Sequence, residues 1–122
     1  MVRSYRDLRV WQYGMDLVVE CYRATRIFPK DELYGLVTQM RRAAVSIPSN
    51  IAEGHGRSYT GQYLQHVSVA NGSLMELETQ ILISARLGFL TPEETKILLL
   101  RTADLGRMLA GLLRKLQQKR SS

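Results

Sequence analysis

Cysteine, histidine and the aromatic side chains are scarce in this sequence, which has one Cys, two His, one Trp and two Phe in 122 residues. The single cysteine, Cys21, excludes an intrachain disulfide and any cysteine-based zinc cluster. It falls in a helical pattern, where an inert, buried thiol is expected. Long apolar runs are also missing: Ile97 to Leu100 is the longest, far short of the roughly 20 residues that a bilayer span requires. The opening residues, Met-Val-Arg-Ser-Tyr-Arg-Asp, carry charge without an apolar stretch, so no export signal is expected and the cytoplasm is the expected location. Without such a signal, the Asn71-Gly72-Ser73 sequon has no weight.

Signatures of catalysis are missing as well. His55 and His66 stand on separate segments with no HExxH, paired-carboxylate or nucleophile-elbow pattern around them. Gly54-His55-Gly56 has neither a preceding strand nor a Gly-Lys-Ser/Thr tail, so it reads as a helix stop and not as a phosphate loop. The expectation is a protein that is not an enzyme and uses no metal or cofactor. Acidic residues are the last shortage: 11 Asp and Glu face 17 Lys and Arg, a net charge of +6 that favours an anionic partner.

What is present is helical periodicity. Leu8, Trp11, Met15, Val18 and Tyr22 form a three-four stripe that predicts a first helix over about 7–26, ended by Ile27-Phe28-Pro29. Leu33, Val37, Met40, Ala44, Ile47 and Ile51 keep that spacing straight through Pro48, predicting a second helix over 31–55, capped by Asp31 and kinked at the proline. A proline inside a helix costs about 3 kcal/mol, so packing from outside the segment must offset it. Ser46, Ser49 and Asn50 are candidates to satisfy the carbonyl groups it frees.

Tyr63, Val67, Ala70, Leu74, Leu77 and Ile81 predict a third helix over 59–87 with Gly88 as its C-cap. Thr91-Pro92-Glu93-Glu94 combines an N-cap, a first-turn proline and a capping box, and opens a fourth helix over 92–118. Its stripe is Leu98, Thr102, Leu105, Leu109, Leu112 and Leu116, with fraying expected from Gln117 to Arg120. Short links force successive helices antiparallel, so residues 1–122 read as one all-α domain, an up-down-up-down four-helix bundle with a Pro-kinked second helix.

Two helices carry more apolar surface than one bundle needs. Beside its main stripe the fourth has Leu99, Ala103, Gly106, Ala110 and Leu113; the first has Val10, Gly14, Leu17, Cys21 and Ala24. Either these rows widen the core-facing stripe, or their small residues admit a neighbouring subunit. The expected interface residues are Val10, Gly14, Leu17, Leu99, Ala103, Gly106, Ala110 and Leu113.

Alternating helix direction also gathers charge. Arg3, Arg6, Arg9, Arg57, Arg114, Lys115, Lys119 and Arg120 fall at one end, against Asp7 and Glu53. Cations at a helix C-terminus complement its dipole, which suffices for the last four but not for Arg3, Arg6 and Arg9 at a helix start. A basic pole of this kind predicts binding to RNA or DNA with little sequence preference, because no helix-turn-helix, zinc-finger or RNA-recognition signature accompanies it. Tyr5 and Tyr59 are candidates to stack on bases, while Tyr63 reads as core. Arg41 and Arg42 lie mid-bundle, where pairing with Glu76 or Glu78 competes with ligand contact.

Several ordered blocks carry a family likeness: Asp7-Leu8-x-Val10-Trp11-Gln12, Phe28-Pro29, Tyr34-Gly35-Leu36, the tract Arg41 to Gly54, and Gly72-Ser73-Leu74-x-Glu76-Leu77-Glu78-Thr79. Over about residues 5–116 the chain resembles the four-helix-bundle proteins called 23S rRNA intervening-sequence proteins. The resemblance implies the same bundle and, as in the structurally similar accessory proteins of diversity-generating retroelements, a ring-shaped homopentamer. It also implies two possible roles: association with an intervening segment of ribosomal RNA, or a scaffold docking a partner such as a reverse transcriptase.

Overall fold

The computed structural model describes residues 2–121, so the two terminal residues of the expected domain lie outside the described residues. Its helices are α1 Arg9–Thr25, α2 Thr38–His55, α3 Thr60–Arg86 and α4 Pro92–Ser121, and no strand occurs among the described residues, so the fold is all-α. Each helix packs on the next, and α4 closes back on α1. Across α1 and α2, Gly14 lies against Pro48 and Thr25 against Arg41. Across α2 and α3, Ser46 meets Ser73 and Asn50 meets His66; across α3 and α4, Leu74 lies against Gly106 and Gly61 near Arg120. In every pair the partner's number falls as the residue's number rises, so neighbours run in opposite directions.

The helix ends follow local chemistry. Thr91 and Glu94 form the expected reciprocal cap: the Thr91 N–H donates to Glu94 Oε1 at 2.8 Å and the Glu94 N–H to Thr91 Oγ1 at 3.1 Å. Gly88 takes φ +78°, a backbone that side chains disfavour, and lets the chain leave α3. The start of α1 differs from expectation. A 3₁₀ turn, Tyr5–Asp7, precedes it, closed by its own capping box between Ser4 and Asp7. At the other terminus α4 stays helical through Ser121, with no break over 117–120.

The predicted stripes of α3 and α4 form the core, with Val67, Ala70, Leu74, Leu77, Ile81, Leu98, Leu105, Leu109 and Leu116 buried. On α1 the two rows exchange roles. Val10, Gly14, Leu17, Cys21 and Thr25 face inward, while Met15 and Tyr22 of the expected core stripe are exposed and Trp11 and Val18 half-buried. The reason is the α1–α2 crossing: a Cβ on Gly14 would stand 3.4 Å from the Pro48 ring, so the row of small residues lets the backbones approach where a row of large ones would hold them apart. Val10, Gly14 and Leu17 are therefore core residues of the subunit and not surface for a neighbour. Burial pushes the Cys21 thiol up to about 11, opposed by the nearby Arg41 charge, as suits an inert core thiol.

The expected second helix begins seven residues late. A 3₁₀ turn Lys30–Glu32 and a π turn Leu33–Val37 come first, with non-helical dihedrals at Gly35 (φ −115°, ψ −108°). The cap is Glu32 in place of Asp31: its Oε1 accepts the Leu36 N–H at 3.2 Å and would lie 3.0 Å from a Cβ on Gly35. Leu33 is consequently exposed, whereas Val37, Met40, Ala44, Ile47 and Ile51 are buried as their spacing predicts. From there α2 runs on through Pro48, which is buried against α1. Asn50 donates to the Ser46 carbonyl at 2.9 Å, whereas the acceptor that Pro48 leaves without its helical donor belongs to Ala44.

Candidate nucleic-acid interface

The eight cations singled out from the sequence are all exposed. Contacts between elements bring them to one end. Arg114 and Lys115 line a cleft of about 450 Å³ with Val10, Met108 and Leu112, which joins the end of α4 to the start of α1. The Arg120 guanidinium reaches the first turn of α3, 4.0 Å from where a Cβ on Gly61 would stand. Arg57 lies in the link between α2 and α3, its N–H donating to Gly54 O at 3.1 Å. Arg3 precedes the 3₁₀ turn, Arg6 lies within it and Arg9 opens α1, with Gln12 Nε2 donating to Arg6 O at 2.9 Å to tie turn to helix.

The acids of this end are engaged elsewhere. Asp7 Oδ2 accepts the Arg3 N–H at 2.8 Å and the Ser4 N–H at 3.2 Å, bonds that hold its carboxyl below the usual carboxylate range. Its negative charge thus serves backbone donors and no guanidinium. Glu53 Oε2 lies 3.8 Å from His66 Nδ1. Among the described residues the side chains of Arg3, Arg6, Arg9, Arg57, Arg114, Lys115 and Arg120 enter no ion pair, whereas Arg23 and Arg101 both approach Glu20, at 3.5 and 4.0 Å, and Arg107 pairs with Asp104.

Arg41 and Arg42 part company. The Arg41 Nε donates to Thr25 Oγ1 at 3.0 Å, and its guanidinium lies 4.5 Å from the Tyr22 ring, so it is bound to α1 and not to Glu76 or Glu78. Arg42 is exposed and makes no ion pair among the described residues. Among the described residues no three His, Cys, Asp or Glu side chains cluster closely enough to hold an ion. No described helix is long and apolar enough to cross a membrane.

Sequence reasoning missed a cleft of about 360 Å³ between α1 and α2, lined by Tyr5, Trp11, Met15, Val18, Val45, Pro48 and Ala52. Its lining on α1 is the stripe of Trp11, Met15 and Val18 that the spacing had placed in the core. On α4, Leu99, Ala103, Gly106, Ala110 and Leu113 are half-buried at the edge of the core. Leu99 and Leu113 pack against that core, and a Cβ on Gly106 would lie 3.6 Å from Leu74 Cδ2.

The model of the 23S rRNA-intervening sequence protein family matches residues 6–111, which takes in α1, α2, α3, α4 as far as Gly111, and Arg6, Arg9 and Arg57 of the basic end. The chain belongs to this family. No curated protein matches it significantly. The match stops before Arg114, Lys115, Lys119 and Arg120, so half of the exposed cations at the basic end lie in a stretch of α4 outside the family's matched region.

Proposed function

We propose that this member of the family is a non-enzymatic, cytoplasmic protein that binds nucleic acid, RNA foremost, through its basic end and with little sequence preference. The observation that carries the reading is the gathering of eight exposed cations at the end where the Asp7 carboxylate is already taken up by backbone N–H groups. Such a surface attracts a phosphate backbone through release of condensed counterions, independent of base identity. The family's name, which refers to an intervening sequence in 23S rRNA, favours RNA as the ligand.

Assembly strengthens the reading. A homo-oligomer, expected as a ring of five, repeats the basic end once per subunit, and cyclic symmetry closes a contact between unlike faces without a free end. A second role, as a scaffold that docks a partner protein such as a reverse transcriptase, draws on the apolar α1–α2 cleft, where Met15 and Val45 are about 40% exposed.

Charge reversal tests the primary reading. With Arg114, Lys115, Lys119 and Arg120 all replaced by Glu, RNA binding is expected to vanish at moderate salt while circular dichroism and oligomer mass stay unchanged. For the wild type, the logarithm of the affinity should fall linearly with the logarithm of salt concentration. Binding that ignores salt, or that survives the quadruple reversal, contradicts the assignment.

A further inference from the structure

The aromatic rings at the basic end differ in what already covers them. Tyr63 is half-buried, its ring edge-on to His55 at 5.8 Å, and burial raises its phenol pKa. Tyr5 has Trp11 at 5.3 Å and the Arg6 guanidinium at 5.2 Å from its ring centre, and Tyr13 has Arg9 at 6.0 Å. Tyr59 alone among them has no ring or guanidinium over it among the described residues, and it is 71% exposed.

Its backbone is nonetheless fixed. Tyr59 is extended (φ −116°, ψ 137°), and its carbonyl accepts the N–H groups of Gln62 and Tyr63, each at 3.1 Å. Two arginines stand near it: Arg57, two residues earlier in the chain, and Arg120, whose guanidinium lies 4.0 Å from where a Cβ on Gly61 would stand on the first turn of α3. An uncovered ring on an anchored backbone, with cations close by, suits a single strand, which needs a stacking face for a base and donors for the neighbouring phosphates. A duplex offers that ring little, because its bases already stack on one another.

We infer that the basic end selects unpaired nucleic acid, with one base stacked on Tyr59 and the adjoining phosphates met by Arg57 and Arg120. The inference rests on the reading of this end as a nucleic-acid surface and adds the class of strand. Tyr34 supplies an internal comparison, being 91% exposed but situated in the segment that carries Asp31 and Glu32, where no phosphate-attracting cluster surrounds it.

Fluorescence anisotropy on the full chain, with labelled single-stranded RNA, single-stranded DNA of the same sequence and the corresponding DNA duplex, tests this. Tyr59→Ala should weaken single-strand binding by about 5- to 150-fold, the worth of one stacked base. Duplex affinity and the salt slope should not change, Tyr59→Trp should restore the loss, and Tyr34→Ala should have no effect. A loss on both single strands, or on RNA alone, supports the platform and tells which strand it takes. Equal losses on single strands and duplex, or no loss on any, overturn the inference while leaving the basic-end reading intact. No salt-dependent binding to any strand by the wild type defeats the reading beneath it instead.

Discussion

Gly54 and Gly72 sit on helices that pack together, yet a methyl group added to each meets opposite surroundings. A Cβ at position 54 would lie 2.8 Å from His66 Cβ and 2.9 Å from Tyr63 Cδ1, with the Tyr63 carbonyl at 3.3 Å, so α2 and α3 must separate to admit it. At position 72 nothing lies within 4 Å. Gly54→Ala is therefore expected to destabilise by about 1–3 kcal/mol through overpacking. Gly72→Ala should stabilise by about 0.5–1 kcal/mol, because it removes backbone freedom from the unfolded chain at an exposed site in a helix interior. Urea unfolding of the two variants checks the pair; shifts of the same sign would mean that α2 and α3 do not approach at Gly54. The sequence reading took Gly54 for a helix stop, since a glycine before Gly56 looks the same whether it ends a helix or admits a neighbour.

Between α2 and α3 runs a chain of polar side chains whose directions can be worked out. Asn50 Nδ2 donates to Ser46 O at 2.9 Å and Ser46 Oγ at 3.0 Å, which turns Asn50 Oδ1 towards His66 Nδ1 at 3.1 Å. Oδ1 only accepts, so Nδ1 carries the proton, and Ser46 Oγ shares a further hydrogen bond with Ser73 Oγ at 2.8 Å. Asn50→Ala removes the centre of this chain and should cost about 1–3 kcal/mol by leaving half-buried donors and acceptors unpaired. Paired with Ser46→Ala, its effect should fall short of additive, as for members of one network; additive losses in a thermal-unfolding cycle would show the two act independently. In the sequence Ser46 and Asn50 were legible only as candidates to satisfy carbonyl groups freed by Pro48; their links to Ser73 and His66 were not. Large residues in the main stripes made α3 and α4 legible, because burying any other face would strand those leucines in water. Helix α1 offered two rows, and the choice depended on the close crossing at Gly14 and Pro48, a property of two helices together. The irregular turns over 30–37 likewise follow from Glu32 capping over Gly35, which no periodicity records. In the candidate site, the cations were legible as soon as the helices alternated in direction, whereas the freedom of Tyr59 depends on which rings the fold happens to cover.

Among the described residues the molecule leaves apolar side chains without a partner in the subunit on several faces, two of which bear on assembly. One is the α1–α2 cleft around Trp11, Met15, Val18 and Val45; the other is the outer side of α3, where Val69, Met75 and Leu82 are exposed. The α4 row expected to form an interface is a weaker candidate, because Leu99 and Leu113 already pack on the core and Gly106 is turned towards Leu74. A ring joins unlike faces, so the proposed oligomer would set the cleft of one subunit against a different face of the next, for which the exposed side of α3 is the candidate to test. Met15→Glu and Met75→Glu, each at an exposed position, should separately reduce the mass seen by light scattering to about the 13.9 kDa of one chain at micromolar concentration, with helicity retained. Mixing the two variants then distinguishes the geometries. In a head-to-tail contact the mixture regains one working junction, the intact cleft of the Met75 variant against the intact α3 face of the Met15 variant, and growth stops at two subunits because the remaining faces are both blocked. In a self-complementary contact through the cleft, Met75→Glu protein assembles unaided and mixing adds nothing. A wild type that already runs at one chain's mass removes the ring, and with it the repetition of the basic end that would let one strand of RNA touch several subunits at once.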